Sequence, residues 1–292
     1  MLLLLLLILS SLFGIYFGPI EHLRILTAGI HASCLNLAPI SIYREEYQAL
    51  ICGSKNLSHS VDFQASGLNH LFFIYGFQIH LVNLVSKKLL SSKVSQNFSN
   101  LFLSFFVLCL TAFHPSSLRS AVSLFLRELS NQKKFFWSPL QIAILSGFFS
   151  IGLAPQLSQN YSLLIGWLAA ICFCFMNKYS HKCKLLIVPI FIYPVLSGMT
   201  LAHPLLAISF SFLYRPILFI LLPLTYLAFL IPALSGSLDQ FWRLSLSFSD
   251  FISKRLTPIH LEFSLTLFEI WIYLLVLMTV FLFLENRKLR EV

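Results

Sequence analysis

Charge is what this chain has least of: Asp and Glu together number 11 and Lys and Arg 20 in 292 residues, so only 11% of positions are charged. A soluble domain of this length carries roughly twice that share, and the shortage excludes that class. Catalytic and nucleotide-binding signatures are absent too. There is no Gly-rich phosphate loop, no H-E-x-x-H or H-x-H-x-D pattern and no G-x-S-x-G elbow, so no catalytic residue is assigned and the chain reads as a non-enzyme. The six cysteines, Cys34, Cys52, Cys109, Cys172, Cys174 and Cys183, show no C-x-x-C or Cys/His metal spacing. They read as small buried hydrophobes, and neither a metal nor another cofactor is expected. The opening Leu run lacks a preceding Lys or Arg and a small-x-small cleavage pattern, which makes Met1 to Gly18 a retained span rather than a secretory leader.

What is present is apolar: 58% of residues are hydrophobic, and the mean hydropathy is +0.83. Apolar stretches run at 1–18, 64–85, 99–113, 117–131, 139–153, 161–176, 185–202, 204–234 and 262–284. Several fall short of the ~20 residues that an upright crossing of a ~30 Å hydrocarbon core needs. Pro155, Pro189, Pro194, Pro204, Pro216, Pro223 and Pro232 lie in or beside these runs, where a missing N–H frees carbonyls and breaks helices. The expected fold is all-α: a polytopic transmembrane helix bundle with short, Pro-broken and in part re-entrant helices, forming a single membrane domain over 1–292. Within it, 1–44 holds the first span and a mixed connection, 45–235 the core, and 236–292 an interfacial segment and the last span.

The net charge of +9 has a topological use. Basic clusters fall at Lys87, Lys88 and Lys93; at Lys133 and Lys134; at Lys178, Lys182 and Lys184; at Arg215; and at Arg287, Lys288 and Arg290. If the chain crosses at each apolar stretch, all five share one side, which the positive-inside rule makes cytoplasmic. Arg243, Lys254 and Arg255 dissent, from a segment whose alternation of aromatic, Ser and basic residues suits a helix lying at the lipid headgroups.

Polar groups at membrane depth are costly and mark candidates. At about 100° per residue, Ser116, Arg119, Ser120, Ser123, Arg127 and Ser130 project into one arc, opposite Leu118, Ala121, Val122, Phe125 and Leu129. A hydroxyl stripe with two guanidinium groups suits a wet cavity that handles phosphate. It equally suits an amphipathic helix at the headgroups. In a second stretch Asn69, Gly76, His80 and Asn83 share a face, and His70 and Gln78 point elsewhere. His70 and His80 stand about 15 Å apart along a helix and cannot chelate one metal. These groups serve either to join helices through hydrogen bonds, with Gly67 and Gly76 allowing close approach, or to line a pore. Glu269, inside the last span, reads as a packing or functional acid with equal weight.

The run Gln64-Ala65-Ser66-Gly67-Leu68-Asn69-His70-Leu71-Phe72-Phe73-Ile74-Tyr75-Gly76-Phe77-Gln78 resembles the ATGLxHLLAISGLH signature of competence-protein (ComEC-type) DNA-uptake channels. Tyr75 and Gln78 stand where that family has Ser and His, and His80 follows two residues later. Further pieces keep the family's order: Gln48-Ala49-Leu50-Ile51-Cys52-Gly53 is similar to its apolar run ending in Gly. Pro115-Ser116-Ser117-Leu118-Arg119-Ser120-Ala121 is similar to its SxxRA helix start, and Ser138-Pro139-Leu140 through Ala154-Pro155 to Asn160-Tyr161-Ser162-Leu163-Leu164 to its Pro-rich stretch. The resemblance spans roughly 45–235. It implies a multi-pass channel core of the bacterial cytoplasmic membrane that passes single-stranded DNA during natural transformation. Membrane lipids, a separate cytoplasmic ATP-driven motor, DNA receptor proteins and other copies of the chain are the partners it implies. The other readings are a small-solute or lipid-linked transporter on the same helices, and a non-transporting scaffold or decayed relative.

Overall fold

The computed structural model describes residues 12, 19–54, 78–79, 81, 93–133, 136–196, 220–255 and 265–290. Among them the regular structure is all helical: α1 (Pro19–Leu37), α2 (Arg44–Cys52), α3 (Lys93–Leu110), α4 (Pro115–Lys133), α5 (Pro139–Leu153), α6 (Tyr161–Phe175), α7 (His181–Leu196), α8 (Ile220–Leu230), α9 (Ser235–Arg255) and α10 (Leu267–Arg290). Short 3-10 turns occupy Pro155–Gln159, Met176–Lys178 and Pro232–Leu234. Among the described residues one helix, α10, is long and apolar enough to cross a membrane, over Leu267–Arg287. α5 and α6 have 15 residues each and reach only about 22 Å. The first span expected at Met1 to Gly18 lies outside the described residues apart from Leu12.

Local chemistry explains where the helices begin. α5 starts with Pro139 at its first position and a capping box: Gln141 N–H donates to Ser138 Oγ at 3.1 Å, and Ser138 N–H donates to Gln141 Oε1 at 3.0 Å. Asn160 Oδ1 accepts from Leu163 N–H at the start of α6. Thr266 and Glu269 cap α10 in the same reciprocal way, with Thr266 N–H donating to Glu269 Oε2 at 2.7 Å. That cap decides between the two roles open to Glu269: it is an exposed capping group at the entry of the last helix.

Two apolar clusters organise the packing. The larger joins α3 to α7 and α10 around Phe148, Leu163, Leu164, Trp167, Leu168, Leu274 and Met278. Trp167 is its centre, fully buried, edge-on to Phe148 at 5.1 Å and to Trp271 at 6.0 Å, with Nε1–H donating to the Ala143 carbonyl at 2.9 Å. Gly147 lets α5 pass that ring: a Cβ there would stand 1.9 Å from the indole. The smaller cluster gathers α1, α2, α8 and α9 around Tyr47, Leu50, Leu222, Ala228 and Trp242.

The helices alternate, so the bundle has two chemically different ends. At one, Ser138 before α5 donates to Glu285 near the close of α10 at 3.0 Å, and Phe175 of α6 stacks on Phe281 at 4.0 Å. At the other, Trp271 near the start of α10 donates to the Ser158 carbonyl at 3.1 Å, and Gln156 donates to Glu21 of α1 at 3.0 Å. Lys133, Lys178, Lys182, Lys184, Arg287, Lys288 and Arg290 all fall, by helix polarity, at the first end.

Among the prolines, two act as expected, three do not, and Pro204 and Pro216 lie outside the described residues. Pro155 and Pro232 open 3-10 turns, but α7 runs unbroken through Pro189 and Pro194, and α8 through Pro223. The N–H that Pro194 lacks would have met the Ile190 carbonyl. Tyr273 of α10 donates to the neighbouring Phe191 carbonyl at 2.9 Å, a cross-helix tie beside the proline, and the helix continues.

Candidate functional site

α4 carries the hydroxyl and guanidinium stripe, and its start is set by how α3 stops. Phe113 N–H reaches back to Leu108 O at 2.8 Å and Ala112 N–H to Cys109 O at 3.3 Å, the paired bonds of a Schellman ending. Ala112 (φ 46°) and Phe113 (φ 55°) therefore adopt the left-handed region, which costs a non-Gly residue about 1–2 kcal/mol. Phe113 lies edge-on to Phe105 of α3 at 6.4 Å, which packs the turn against the helix it ends. α1 supplies further support: Arg24 donates to the carbonyls of Ala112 and Phe113 at 3.2 and 3.4 Å, and His31 Nδ1 lies 2.7 Å from the Leu110 carbonyl. A cation over a helix C-terminus also satisfies the dipole. Pro115 then opens α4.

α4 packs against α3, α5 and α6. Its stripe is not a uniform groove. Ser116 and Ser120 are buried, Ser116 Oγ lying 3.1 Å from His114 Nδ1, and Ser130 is buried as well. Ser123 is half-buried and Arg127 exposed. Arg119 is half-buried and turned toward α6, where its Nε lies 4.0 Å from the position that a Cβ on Gly166 would take. Arg119 Nη2 makes a long bond of 3.4 Å to Ser120 Oγ, while its Nε is buried without an acceptor. A buried guanidinium N–H with no acceptor is a desolvated donor whose hydrogen-bonding capacity is unused. Ser104 Oγ of α3 is likewise buried and unsatisfied.

Of the signature residues, Gly67, Leu68, Asn69, His70, Gly76 and His80 lie outside the described residues. Gln78 is described, and it is a junction. It is buried at 2% exposure, its Nε2–H donates to the Leu50 carbonyl of α2, and its Oε1 accepts from Tyr226 of α8 at 3.3 Å. The position where the resembling family has His thus joins two helices through a side-chain amide.

Sequence reasoning missed two features. Cys34 and Cys52 are buried, as small hydrophobes would be, yet they form a disulfide; Cys109 and Cys172 are buried free thiols and Cys174 is a half-buried one. No spacing motif flags a pair 18 residues apart, because the pairing comes from α1 and α2 meeting at their C-terminal ends. The second is a polar anchor between α2 and α9. Asp239 Oδ1 accepts from Tyr47 at 2.7 Å and from Ser41 at 2.6 Å. Burial first, and then the Asp239 carboxylate, push the Tyr47 hydroxyl well above its ordinary pKa, so it stays a donor. The anchor turns Leu238 and Trp242 inward, and leaves Leu244, Phe248 and Phe251 exposed on the far side of α9.

The class this defines is an all-helical bundle among the described residues, with one helix of membrane-crossing length, a lysine-bearing end and a disulfide-bearing end. Comparison with family models, curated proteins and solved structures returned no match.

Proposed function

We propose that the chain is the membrane core of a bacterial DNA-uptake channel, a multi-pass protein of the cytoplasmic membrane that passes single-stranded DNA with energy from a separate ATP-driven motor. The observation that carries the reading is that the segments resembling the competence family meet one another in space. Gln78 of the signature bonds Leu50 of the apolar run; Gly53, closing that run, sits against Thr111 at the threshold of Pro115-Ser116-Ser117-Leu118-Arg119. Arg119 faces Gly166, and Trp167 bonds Ala143 in the segment that begins at Ser138. Arg119 and Arg127 would bind successive phosphates, since phosphate contacts dominate binding to single strands.

The membrane setting draws on the large apolar side chains left exposed, among them Ile25 at 74%, Leu26 at 79%, Leu230 at 77% and Phe268 at 74%. Orientation rests on two independent chemistries. The basic end belongs in the cytoplasm by the positive-inside rule, and the disulfide end belongs in an oxidising compartment. α9, pinned to the disulfide end, lies along the outer headgroups and accounts for the dissenting Arg243, Lys254 and Arg255. A reporter fused after Val292 is expected to be active only in the form that works in the cytoplasm; activity of a form that works only outside would reverse the orientation.

The direct test is uptake of labelled DNA in cells lacking this gene, with and without its restoration. Loss on deletion and recovery on restoration are expected, and undiminished uptake after deletion would remove the DNA reading. A small-solute or lipid-linked transporter is the second reading, favoured by one observation: Ser116 and Ser120 are buried, so the upper stripe is covered and does not line a continuous path.

A further inference from the structure

The segment from Leu110 to Phe113 is gripped from two sides. On one side α1 holds it through Arg24, on the carbonyls of Ala112 and Phe113, and His31, on the carbonyl of Leu110. On the other side stands Gly53, in the left-handed region at φ 78°, so close to Thr111 that a Cβ would come within 3.2 Å of the Thr111 carbonyl oxygen. Cys34 lies one turn beyond His31 on α1, and Cys52 immediately precedes Gly53. The disulfide between them therefore joins the two jaws.

We infer that the Cys34–Cys52 disulfide closes α1 and α2 into a clasp around the α3–α4 turn, and that this clasp holds α4, with Arg119, in its position. The turn needs such a device because Ala112 and Phe113 occupy a backbone region that neither side chain favours, and a conformation of that kind persists only where its surroundings over-determine it. Three of the gripped groups are carbonyls at the end of α3 and beside it, which have no partner within the helix. With the jaws joined, displacing one requires moving the other. With the bond open, α1 and the Gly53 segment can leave the turn independently.

Closure is an oxidation. Cys34 and Cys52 thiols lose two protons and two electrons to a disulfide-bearing oxidant of their compartment, which becomes a dithiol; opening reverses this, a dithiol reductant ending as a disulfide and each cysteine regaining a hydrogen. Both cysteines are buried, at 3% and 0% exposure, so the bond is shielded from solvent in the folded chain. The inference does not depend on what the protein carries, because its readout is backbone motion in the purified chain.

The test is amide hydrogen exchange, read by mass spectrometry, on the full chain in lipid nanodiscs. Peptides spanning 108–118 are compared with peptides spanning 139–153. Removing the bond by the paired change Cys34→Ser and Cys52→Ser is expected to speed exchange in 108–118 by about tenfold or more and to leave 139–153 unchanged. Arg24→Gln and Gly53→Ala each weaken one jaw with the disulfide intact, and each is expected to speed exchange in 108–118 selectively; these variants decide the matter if the cysteine variant does not fold. Unchanged exchange in 108–118 would overturn the clasp, and equal acceleration in both regions would reduce the disulfide to a general staple and overturn it as well.

Discussion

Replacing Arg119 and Arg127 by glutamine is expected to lower DNA uptake by about tenfold for each guanidinium removed, and the pair by more than either alone. Insertion and yield are expected to hold, because removing charge from an apolar setting lowers the cost of burying the helix. The two positions differ in kind. Arg119 is half-buried beside Gly166 with an unsatisfied Nε, so its replacement also relieves a desolvated charge; Arg127 is exposed, and its replacement removes attraction alone. Arg119→Lys is expected to be milder than Arg119→Gln without being silent, since Lys keeps the charge and lacks the fork. The measurement is uptake of labelled DNA normalised to membrane-inserted protein. Wild-type uptake in the double variant would end the phosphate-path reading and leave the transporter or the scaffold. A helix lying at the headgroups makes the opposite forecast, slightly weaker headgroup binding with transport untouched.

Gly147→Ala is expected to cost about 3 kcal/mol or more in stability, because the added methyl has no space beside the indole of Trp167. The added Cβ would stand 1.9, 2.2 and 2.4 Å from three indole carbons of Trp167. Those atoms cannot swing away, because Trp167 is fully buried between Phe148 and Trp271 and tied through Nε1 to Ala143 on the same helix as Gly147. α5 and α6 would have to separate. The thermal midpoint of the purified protein measures this, and a cycle with Trp167→Leu isolates the cause: removing the ring should make Gly147→Ala cheaper by at least about 1 kcal/mol. Equal cost in both backgrounds would mean that the methyl meets something other than the indole.

Helix boundaries were legible wherever the chain carries its own punctuation. Ser138-Pro139 with Gln141, Asn160 before an apolar run, and Pro115 after a turn are local signals, written within four residues and read by short-range hydrogen bonds. Pro189 and Pro194 misled for the converse reason. A proline specifies only which donor is missing, and whether the helix breaks is decided by what packs around it, here α10, whose Tyr273 donates to Phe191 from 82 residues away.

Composition and periodicity by themselves gave a charge-poor, apolar chain whose described residues are helical, because hydropathy and helical period are properties of single residues summed along a segment. They also placed Arg119 and the serines on one arc of α4, since a helix fixes 100° per residue wherever it sits. Only the tertiary structure decided that Ser116 and Ser120 are covered while Arg127 is open, that Cys34 meets Cys52, and that Gln78 bridges Leu50 and Tyr226. Each of these depends on which helix lies beside which. That choice is made by the fit of surfaces such as Gly147 against Trp167 and Gly53 against Thr111, which no single segment carries alone.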